Sequence, residues 1–279
     1  MNFDFANVSL EKVREYWDRR PCNLRHSPSP VGSRQYFDEV EQRKYFVEPH
    51  IPGFAEFPRW AGRRVLEIGC GIGTDTINFA RAGALVTAVD LSARSLALAR
   101  QRAELFGLAD RVTFVEADAE RLSAFVEPAP YDLIYSFGVI HHSPHPANIL
   151  EQVRRHFIAP DGVLKVMVYH RRSWKVLGIL YGEAHGAWWR LDDAVARNSE
   201  GQTGCPITYT YSRRTGTQLL AGAGFDVADV FVDHIFPYRV KDYVQYRYEK
   251  AAPFRWLPDG VMRALERRLG WHLCMTAGP

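Results

Sequence analysis

Between Arg63 and Tyr169, short runs of β-branched and other apolar residues alternate with longer stretches whose apolar residues recur at helical spacing. This alternation is typical of an α/β domain built on a parallel sheet. It predicts strands at Arg64–Ile68, Leu85–Asp90, Val112–Glu116, Leu133–Phe137 and Val163–Tyr169. The fold class is therefore indicated before any single residue is considered.

The helices between these strands have recognisable ends. A helix predicted over Thr74–Ala82 stops before Gly83, which suits a C-cap. Ser92 can cap the next helix, and the helix predicted over His145–Phe157 has a proline in its first turn. Strand therefore follows helix in regular order.

Two further strands are predicted beyond this repeat. Phe225–Ile235 follows a helix from about Arg213 to Leu220, and Trp271–Thr276 follows a helix from about Gly260 to Leu269. A strand that arrives after such a connection can enter the sheet antiparallel. We expect Trp271–Thr276 to do so at the edge of the sheet.

Composition and charge exclude several classes of protein. The 279 residues suffice for one sizeable domain with insertions or for two small ones, and 47% hydrophobic with 24% charged residues is typical of a globular protein. A net charge of +3 is too mild to indicate nucleic acid or a membrane surface. No signal peptide or apolar run of roughly 20 residues is present. We expect a soluble protein with no membrane partner.

The four cysteines, Cys22, Cys70, Cys205 and Cys274, are widely separated and form no C-x-x-C pair. Neither a zinc cluster nor a disulfide framework is indicated, and no metal site is evident. A reducing, cytoplasmic location is the expectation. Cys22 has nothing nearby in sequence to lower its pKa, so it is not a predicted nucleophile.

The first strand runs directly into Gly69-Cys70-Gly71-Ile72-Gly73, and a helix follows at once. Glycine is needed where backbone must turn tightly and approach a ligand. The spacing is G-x-G-x-G, whereas the dinucleotide fingerprint is G-x-G-x-x-G. Glu67 precedes the loop; its carboxylate would repel a pyrophosphate but suits a cationic ligand such as a sulfonium-bearing amino acid.

Acidic residues end the next two strands. Asp90 lies about twenty residues beyond the first glycine, where a carboxylate can accept both hydroxyls of an adenosine ribose. NAD and S-adenosylmethionine share that ribose. Asp118 ends the third strand, where it can accept from an adenine amino group, and the fourth strand ends in Ser136–His142. Ligands of open parallel sheets bind beyond these carboxyl ends.

On these segments the chain resembles the class I S-adenosylmethionine-dependent methyltransferases, especially the subgroup that includes ubiquinone and menaquinone C-methyltransferase-like enzymes. The resemblance is carried by Val65–Gly73, Val86–Ser92, Ala117–Ala119 and Tyr131–Ser136. It is strong over residues 63–170 and looser over residues 213–276. It implies a Rossmann-like, doubly wound sheet of seven mostly parallel strands with an antiparallel last strand, plus lid and cap insertions.

The resemblance also implies an enzyme that moves the methyl group of S-adenosylmethionine to a small molecule. The glycine loop would hold the methionine part, Asp90 the ribose, and Asp118 with Ala119 the adenine. The predicted cofactor-binding residues are Glu67, Gly69, Cys70, Gly71, Gly73, Asp90, Leu91, Asp118, Ala119 and Ser136.

Three regions fall outside the strand–helix repeat and are rich in Tyr, Trp, His, Arg and Pro, as expected of lids and binding walls. They are residues 1–60, 171–211 and 236–258. The predicted organisation is an N-terminal helical lid and substrate segment (1–60), an S-adenosylmethionine-binding core (61–170), a cap insertion (171–211) and a C-terminal part of the core sheet with a second insertion (212–279).

Methyl transfer from a sulfonium mainly requires the nucleophile to be aligned and water to be excluded. Where the acceptor must lose a proton, histidine is the usual base. The predicted catalytic residues are His141, His142 and Tyr169, and we hypothesise that His141 faces the methyl group. The alternative for the histidines is loop anchoring or a capped helix start.

The predicted substrate-binding residues are Tyr36, Tyr45, His141, His170, Arg171 and Tyr209. Tyr36 and Tyr45 are included because of the resemblance. In relatives of this family an amino-terminal segment folds over the cofactor as a lid. Arginine at position 171 can pair with a carboxylate or phosphate, and clustered aromatic residues can wall a pocket. The alternative for the arginine is a solvated charge at the start of a loop. The alternative for the aromatic residues is a small separate apolar core beneath a long loop. An acidic or aromatic small molecule of a biosynthetic pathway is favoured, and a homodimer is compatible with the sequence.

Other functions stay open. An NAD(P)-dependent reductase would share the fold, and Tyr246–Lys250 matches Y-x-x-x-K, although it follows the sixth strand. A nucleic-acid methyltransferase is disfavoured because Ser136–Val139 lacks the Pro-Pro-aromatic run of base-amine methylating enzymes. A non-catalytic S-adenosylmethionine-binding protein is the third alternative. The sequence leaves the acceptor atom open among carbon, nitrogen and oxygen.

Overall fold

The computed structural model describes residues 5–199 and 204–279. Residues 1–4 of the predicted lid segment and residues 200–203 of the predicted cap lie outside the described residues. The strands are β1 (Arg64–Ile68), β2 (Leu85–Asp90), β3 (Val112–Glu116), β4 (Tyr131–Phe137), β5 (Ile158–Tyr169), β6 (Asp226–Asp233) and β7 (His272–Gly278).

Helices precede, separate and follow these strands. They are α1 (Leu10–Arg19), α2 (Arg34–Val47), α3 (Ile51–Ala55), α4 (Thr74–Arg81), α5 (Ala93–Leu105), α6 (Pro146–His156), α7 (Trp174–Gly182), α8 (Leu191–Asn198), α9 (Arg213–Gly222), α10 (Val240–Tyr243), α11 (Ala252–Arg255) and α12 (Asp259–Leu269). In the described ranges, no helix has both the length and the apolar character that crossing a membrane would require.

The strands form one seven-stranded sheet in the order β3-β2-β1-β4-β5-β7-β6. The predicted α/β, Rossmann-like class and the antiparallel last strand are confirmed. β1 to β5 pair in parallel, and β7 runs antiparallel to both β5 and β6. Alternate β1 residues, Val65 and Leu66, enter separate apolar clusters on the two faces, as a parallel sheet covered on both sides requires.

The predicted place of the last strand at the sheet edge is wrong. β7 lies between β5 and β6, and β6 forms the edge. Leu273, Cys274 and Met275 of β7 are buried, so the apolar run of β7 suits an interior position. β6 contains Asp226, Asp229 and Asp233, and its first six residues are exposed or only partly buried, which suits an edge.

Helix ends follow the predicted chemistry. The Ser92 hydroxyl accepts from the Ser95 N–H at 3.0 Å, which confirms its N-cap role for α5. Gly83 follows α4 with φ of +100°. The predicted cap region differs from expectation, because α7 and α8 form there although the sequence shows weak apolar periodicity. Both helices pack on the apolar cluster that also holds α4 and α5.

Candidate active site

A cavity of about 350 Å³ lies at the carboxyl edge of the parallel strands. Loops that follow β1 to β4 form one side of it. Seven of the predicted cofactor-binding residues line it: Gly69, Cys70, Gly71, Asp90, Leu91, Asp118 and Ala119. The cavity-lining residues do not include Glu67, Gly73 or Ser136, so those three lie behind the surface of the cavity in the described structure.

The glycine loop (Gly69–Gly73) depends on left-handed backbone. Gly69 has φ of +79° and Gly71 has φ of +54°, a region that residues with a β-carbon rarely adopt. A β-carbon at Gly69 would lie 2.1 Å from Cγ2 of Val139, whereas one at Gly71 would meet no described atom within 4 Å. Gly69 therefore serves the packing of the loop, and Gly71 leaves open space beside the cavity.

Asp90 joins the glycine loop to the end of β2. Its Oδ2 accepts from the Gly71 N–H at 2.8 Å, and its Oδ1 accepts from the Ser92 N–H at 2.9 Å. Burial raises the pKa of Asp90, while these backbone donors oppose the rise. Each carboxylate oxygen has a further lone pair for a ligand. The predicted ribose contact stays a prediction with suitable geometry.

Asp118 follows β3 at the same edge of the sheet. One carboxylate oxygen accepts from the Glu120 N–H at 2.9 Å, and the other accepts from Nε of Arg121 at 3.0 Å. The side chain is buried except where it borders the cavity. Its predicted contact with adenine stays a prediction.

Glu67 and Ser136 make hydrogen bonds beside the glycine loop, behind the surface of the cavity. The Thr76 hydroxyl donates to Oε2 of Glu67, and the Ser136 hydroxyl donates to the Ile68 carbonyl at 3.1 Å. Burial, with a contribution from Asp75, raises the pKa of Glu67 to about 8. An ionised Glu67 is therefore costly in the free protein, and a cation in the cavity would offset part of that cost.

We expect the stability of the free protein to fall as pH rises from about 4.5 to about 8, because folded Glu67 holds its proton above its ordinary pKa of 4.5. Below that window the carboxyl is protonated in both states. Glu67→Gln should remove this loss and make the protein more stable than wild type at pH 9, by on the order of 2 kcal/mol.

Urea unfolding at a series of pH values measures this difference. Glu127→Gln is the matched control, because Glu127 is exposed. If the stability curves of wild type and Glu67→Gln ran parallel from pH 4 to 9, the inferred burial of a protonated Glu67 would be wrong.

A buried ion pair that the sequence analysis missed lies beside Glu67. Nζ of Lys44 is 2.7 Å from Oδ1 of Asp75, and the hydroxyls of Tyr45 and Tyr135 donate to the same carboxylate at 2.9 and 3.0 Å. Burial alone would lower the pKa of Lys44, but Asp75 raises it. These contacts hold α2 against α4. Lys44 lines the cavity, and the predicted substrate residue Tyr45 does not.

The predicted catalytic residues His141, His142 and Tyr169 lie together. The His141 ring centroid is 3.9 Å from that of Tyr169 and 4.1 Å from that of His142. His142 and Tyr169 line the cavity, but His141 is fully buried behind them. Among the described residues, neither ring nitrogen of His141 has a hydrogen-bond partner, and burial lowers its pKa well below the ordinary value.

His142 is held by the segment that follows α8. Its Nδ1 lies 2.7 Å from the Ile207 carbonyl and 3.4 Å from Sγ of Cys205. The Trp17 ring of α1 contacts its other side, with centroids 5.3 Å apart. The hypothesis that His141 faces the methyl group is not tested by this placement, although His142 is the histidine of the pair that borders the cavity.

The other predicted substrate residues make contacts elsewhere. The Tyr36 hydroxyl donates to the Leu24 carbonyl at 2.9 Å, and the Tyr209 hydroxyl accepts from the Phe5 N–H at 3.2 Å. Nδ1 of His170 lies 3.1 Å from the Gly270 carbonyl, and Arg171 pairs with Asp192. The cavity-lining set of the described structure contains none of Tyr36, His170, Arg171 and Tyr209. Their substrate role stays a prediction.

The amino-terminal segment covers the cavity. It contributes Leu10, Val13, Trp17, Cys22, Asn23, His26, Lys44, Val47 and Glu48 to the lining. The cavity therefore has a wall of α1, α2 and their connection in addition to the strand ends. This position suits the predicted lid.

A histidine cluster (His50, His234 and His272) lies beyond the carboxyl ends of β5 and β6, and was missed by the sequence analysis. Nε2 of His50 lies 3.0 Å from Nδ1 of His272, and the ring centroids of His234 and His272 are 4.6 Å apart. Burial lowers the pKa of His50 to about 4 and that of His234 to about 3. These rings are therefore neutral near pH 7.

Comparison with known proteins agrees with this geometry. Residues 65–162 match a family model described as a methyltransferase domain. An uncharacterized protein of Synechococcus sp. is 31% identical over 166 residues, which are 56% of this chain and 38% of that protein. A ubiquinone biosynthesis O-methyltransferase of Psychrobacter cryohalolentis is 31% identical over 122 residues, 44% of this chain and 47% of the relative. The matched segment thus spans less than half the length of both relatives.

A solved structure is similar over nearly the whole chain. The magnesium protoporphyrin IX methyltransferase of Synechocystis, with bound SAH, superposes with a TM-score of 0.59 at 17% identity, covering 97% of this chain and 99% of that one. At this identity the likeness establishes the fold alone. The similarity extends beyond residues 65–162 to the amino-terminal and carboxy-terminal parts of the chain.

Proposed function

This chain contains a class I S-adenosylmethionine-dependent methyltransferase domain, and from that premise we propose that the whole protein transfers the methyl group of S-adenosylmethionine to a small molecule. The cavity at the carboxyl edge of the parallel strands carries the proposal. The glycine loop, Asp90 and Asp118 border it on the side of β1 to β3, and His142 and Tyr169 border it beyond β4 and β5. Cofactor and acceptor would therefore share one enclosed space.

In this proposal the chain mainly positions the reactants. Asp90 accepts from the ribose, Asp118 from the adenine, and the backbone of the glycine loop holds the methionine part. The cover formed by α1 and α2 excludes water, which favours methyl transfer to the acceptor over side reactions. Where the acceptor must lose a proton, His142 is the histidine of the His141–His142 pair that borders the cavity and can act as the base.

A small-molecule acceptor is supported by the enclosure and by the relatives. α1 and α2 wall the cavity on the side away from the strand ends, and a concave pocket walled on several sides suits a small ligand better than a nucleic-acid strand. A relative is named as a ubiquinone biosynthesis O-methyltransferase, and a structural neighbour as a magnesium protoporphyrin IX methyltransferase. Both printed names describe small-molecule methylation.

We expect isothermal titration calorimetry to detect binding of S-adenosylmethionine and S-adenosylhomocysteine at one site per chain, and none of NADH or NADPH. The glycine loop leaves room for a nucleoside, and its G-x-G-x-G spacing differs from the G-x-G-x-x-G fingerprint of dinucleotide sites. Binding of NADPH without binding of S-adenosylmethionine would overturn the proposal and favour a reductase.

A further inference from the structure

The sheet topology brings residues from three distant segments to one end of the cavity. His234 directly follows β6, His272 begins the antiparallel β7, and Glu48 follows α2. Because β7 runs opposite to its neighbours, its first residue lies at the same edge as the last residues of β5 and β6. Glu48, His234 and His272 all line the cavity.

The side chains of these three residues converge. One ligand atom from each of Glu48, His234 and His272 lies within 4.8 Å of the others, and Nε2 of His272 is 3.5 Å from Oε1 of Glu48. Two ligands bound tetrahedrally at about 2.1 Å from one ion are separated by roughly 3.4 Å. The His272–Glu48 distance already has this value, and small side-chain rotations would bring His234 to it.

Both histidine rings also have a partner outside this group of three. Nδ1 of His272 lies 3.0 Å from Nε2 of His50, and the His234 ring faces the backbone of Val47. Histidines that bind metals usually donate a hydrogen bond from the second ring nitrogen to such a partner. This hydrogen bond fixes the tautomer and the orientation of the ring. His234 has φ of +70°, an unfavourable backbone conformation for histidine that the fold maintains beside the cavity.

We propose that Glu48, His234 and His272 bind one divalent first-row metal ion, Zn²⁺ or a close relative, with an open coordination position toward the cavity. Two imidazoles and one carboxylate suit such an ion, whereas Mg²⁺ prefers an all-oxygen set. Three protein ligands with one open position are typical of reactive rather than structural zinc sites. His50 is the residue that orients His272.

The open position would take a hydroxyl of the methyl acceptor, an assignment that rests on the proposed function. Coordination lowers the pKa of the hydroxyl, and its proton passes to His142, the proposed base that lines the same cavity. The resulting oxygen anion attacks the methyl carbon as the carbon–sulfur bond breaks, and S-adenosylhomocysteine leaves as a neutral thioether. The substrate class is thus a small molecule with an acidic hydroxyl.

Metal binding is tested directly on the 279-residue chain after removal of metals with a chelator. We expect calorimetry with Zn²⁺ in a competing buffer to give one ion per chain, and Co²⁺ to give visible absorption bands of a site with nitrogen ligands. Glu48→Gln and His234→Ala should each weaken Zn²⁺ binding at least about 100-fold, and His50→Phe about tenfold. His156→Ala is the matched control, because His156 is exposed on α6.

Circular dichroism and S-adenosylhomocysteine titration of each variant show whether it folds; Glu48→Gln is the mildest change, because Glu48 is only partly buried. Absence of stoichiometric Zn²⁺ binding, or equal affinity in wild type and Glu48→Gln, would overturn the metal site while the proposed function stood. Binding of Zn²⁺ by a protein that does not bind S-adenosylmethionine would overturn the acceptor role of the site together with the proposed function.

Discussion

Gly71→Ala is expected to weaken S-adenosylmethionine binding at least about tenfold, a loss of about 1.4 kcal/mol or more, while the protein stays folded. Gly69→Ala is expected to destabilise the fold itself. Both glycines have left-handed backbone, which costs alanine roughly 1 kcal/mol. The difference lies in what the new methyl group meets.

At Gly69 the β-carbon would lie 2.1 Å from a methyl group of Val139, so β1 or the loop after β4 must move. Such overpacking adds about 1–3 kcal/mol to the backbone strain. At Gly71 the β-carbon meets no described atom within 4 Å, so the methyl group occupies space that we assign to the cofactor.

Urea unfolding and cofactor calorimetry on the two variants separate these effects. Gly107→Ala serves as the control, because Gly107 also has left-handed backbone and open space around its β-carbon but follows α5, away from the cavity. If Gly71→Ala bound S-adenosylmethionine as tightly as Gly107→Ala does, the cofactor would not lie against the glycine loop.

Asp90→Ala is expected to weaken S-adenosylmethionine binding by about 2–4 kcal/mol, or roughly 30-fold to 1000-fold. Hydrogen bonds to a charged group contribute about 1.5–3 kcal/mol each, and the substitution removes those proposed to the ribose. It also leaves the N–H groups of Gly71 and Ser92 without the carboxylate that now accepts from both. The glycine loop would lose its link to β2.

Asp90→Asn separates the two contributions, because it keeps the shape and one acceptor oxygen. We expect its affinity to fall between those of wild type and Asp90→Ala. Asp110→Ala is the control, because Asp110 is exposed before β3, at the opposite edge of the sheet. Calorimetry that found equal affinity in wild type and Asp90→Ala would remove Asp90 from the cofactor site.

The parts of the molecule that were predictable from sequence are those set by local patterns. β1, β2 and β3 have the predicted bounds, because apolar runs with turn residues at both ends leave little choice of limits. The strand order was less accessible. β6 and β7 are both short runs in the last quarter of the chain, and the interior strand is the one that pairs with β5, which is β7.

The residues of the candidate site also fall into a group that could be predicted from the sequence and a group that could not. The glycine loop, Asp90 and Asp118 follow strands, and parallel topology alone brings strand ends together at one edge. Tyr36 and Arg171 lie in segments without that constraint, where sequence does not determine the direction of a side chain. Arg171 pairs with Asp192 of the cap instead of lining the cavity.

The histidine cluster shows most clearly which kind of site cannot be predicted from sequence patterns. Its members come from the start of α3, the end of β6 and the start of β7, and no spacing rule connects them. Only the antiparallel entry of β7 places His272 beside His234. A search for metal motifs in the sequence relies on nearby ligands and therefore does not detect such a group.

The interior position of β7 also determines the order in which the sheet can assemble during synthesis. Among the described strands, β6 pairs only with β7, so when residues 226–233 leave the ribosome they have no described strand to join. The edge of β5 that pairs with β7 is also unpaired at this stage. Both β5 and β6 therefore have unpaired edges until residues 272–278 emerge, and the nascent chain is vulnerable to wrong pairing throughout that interval.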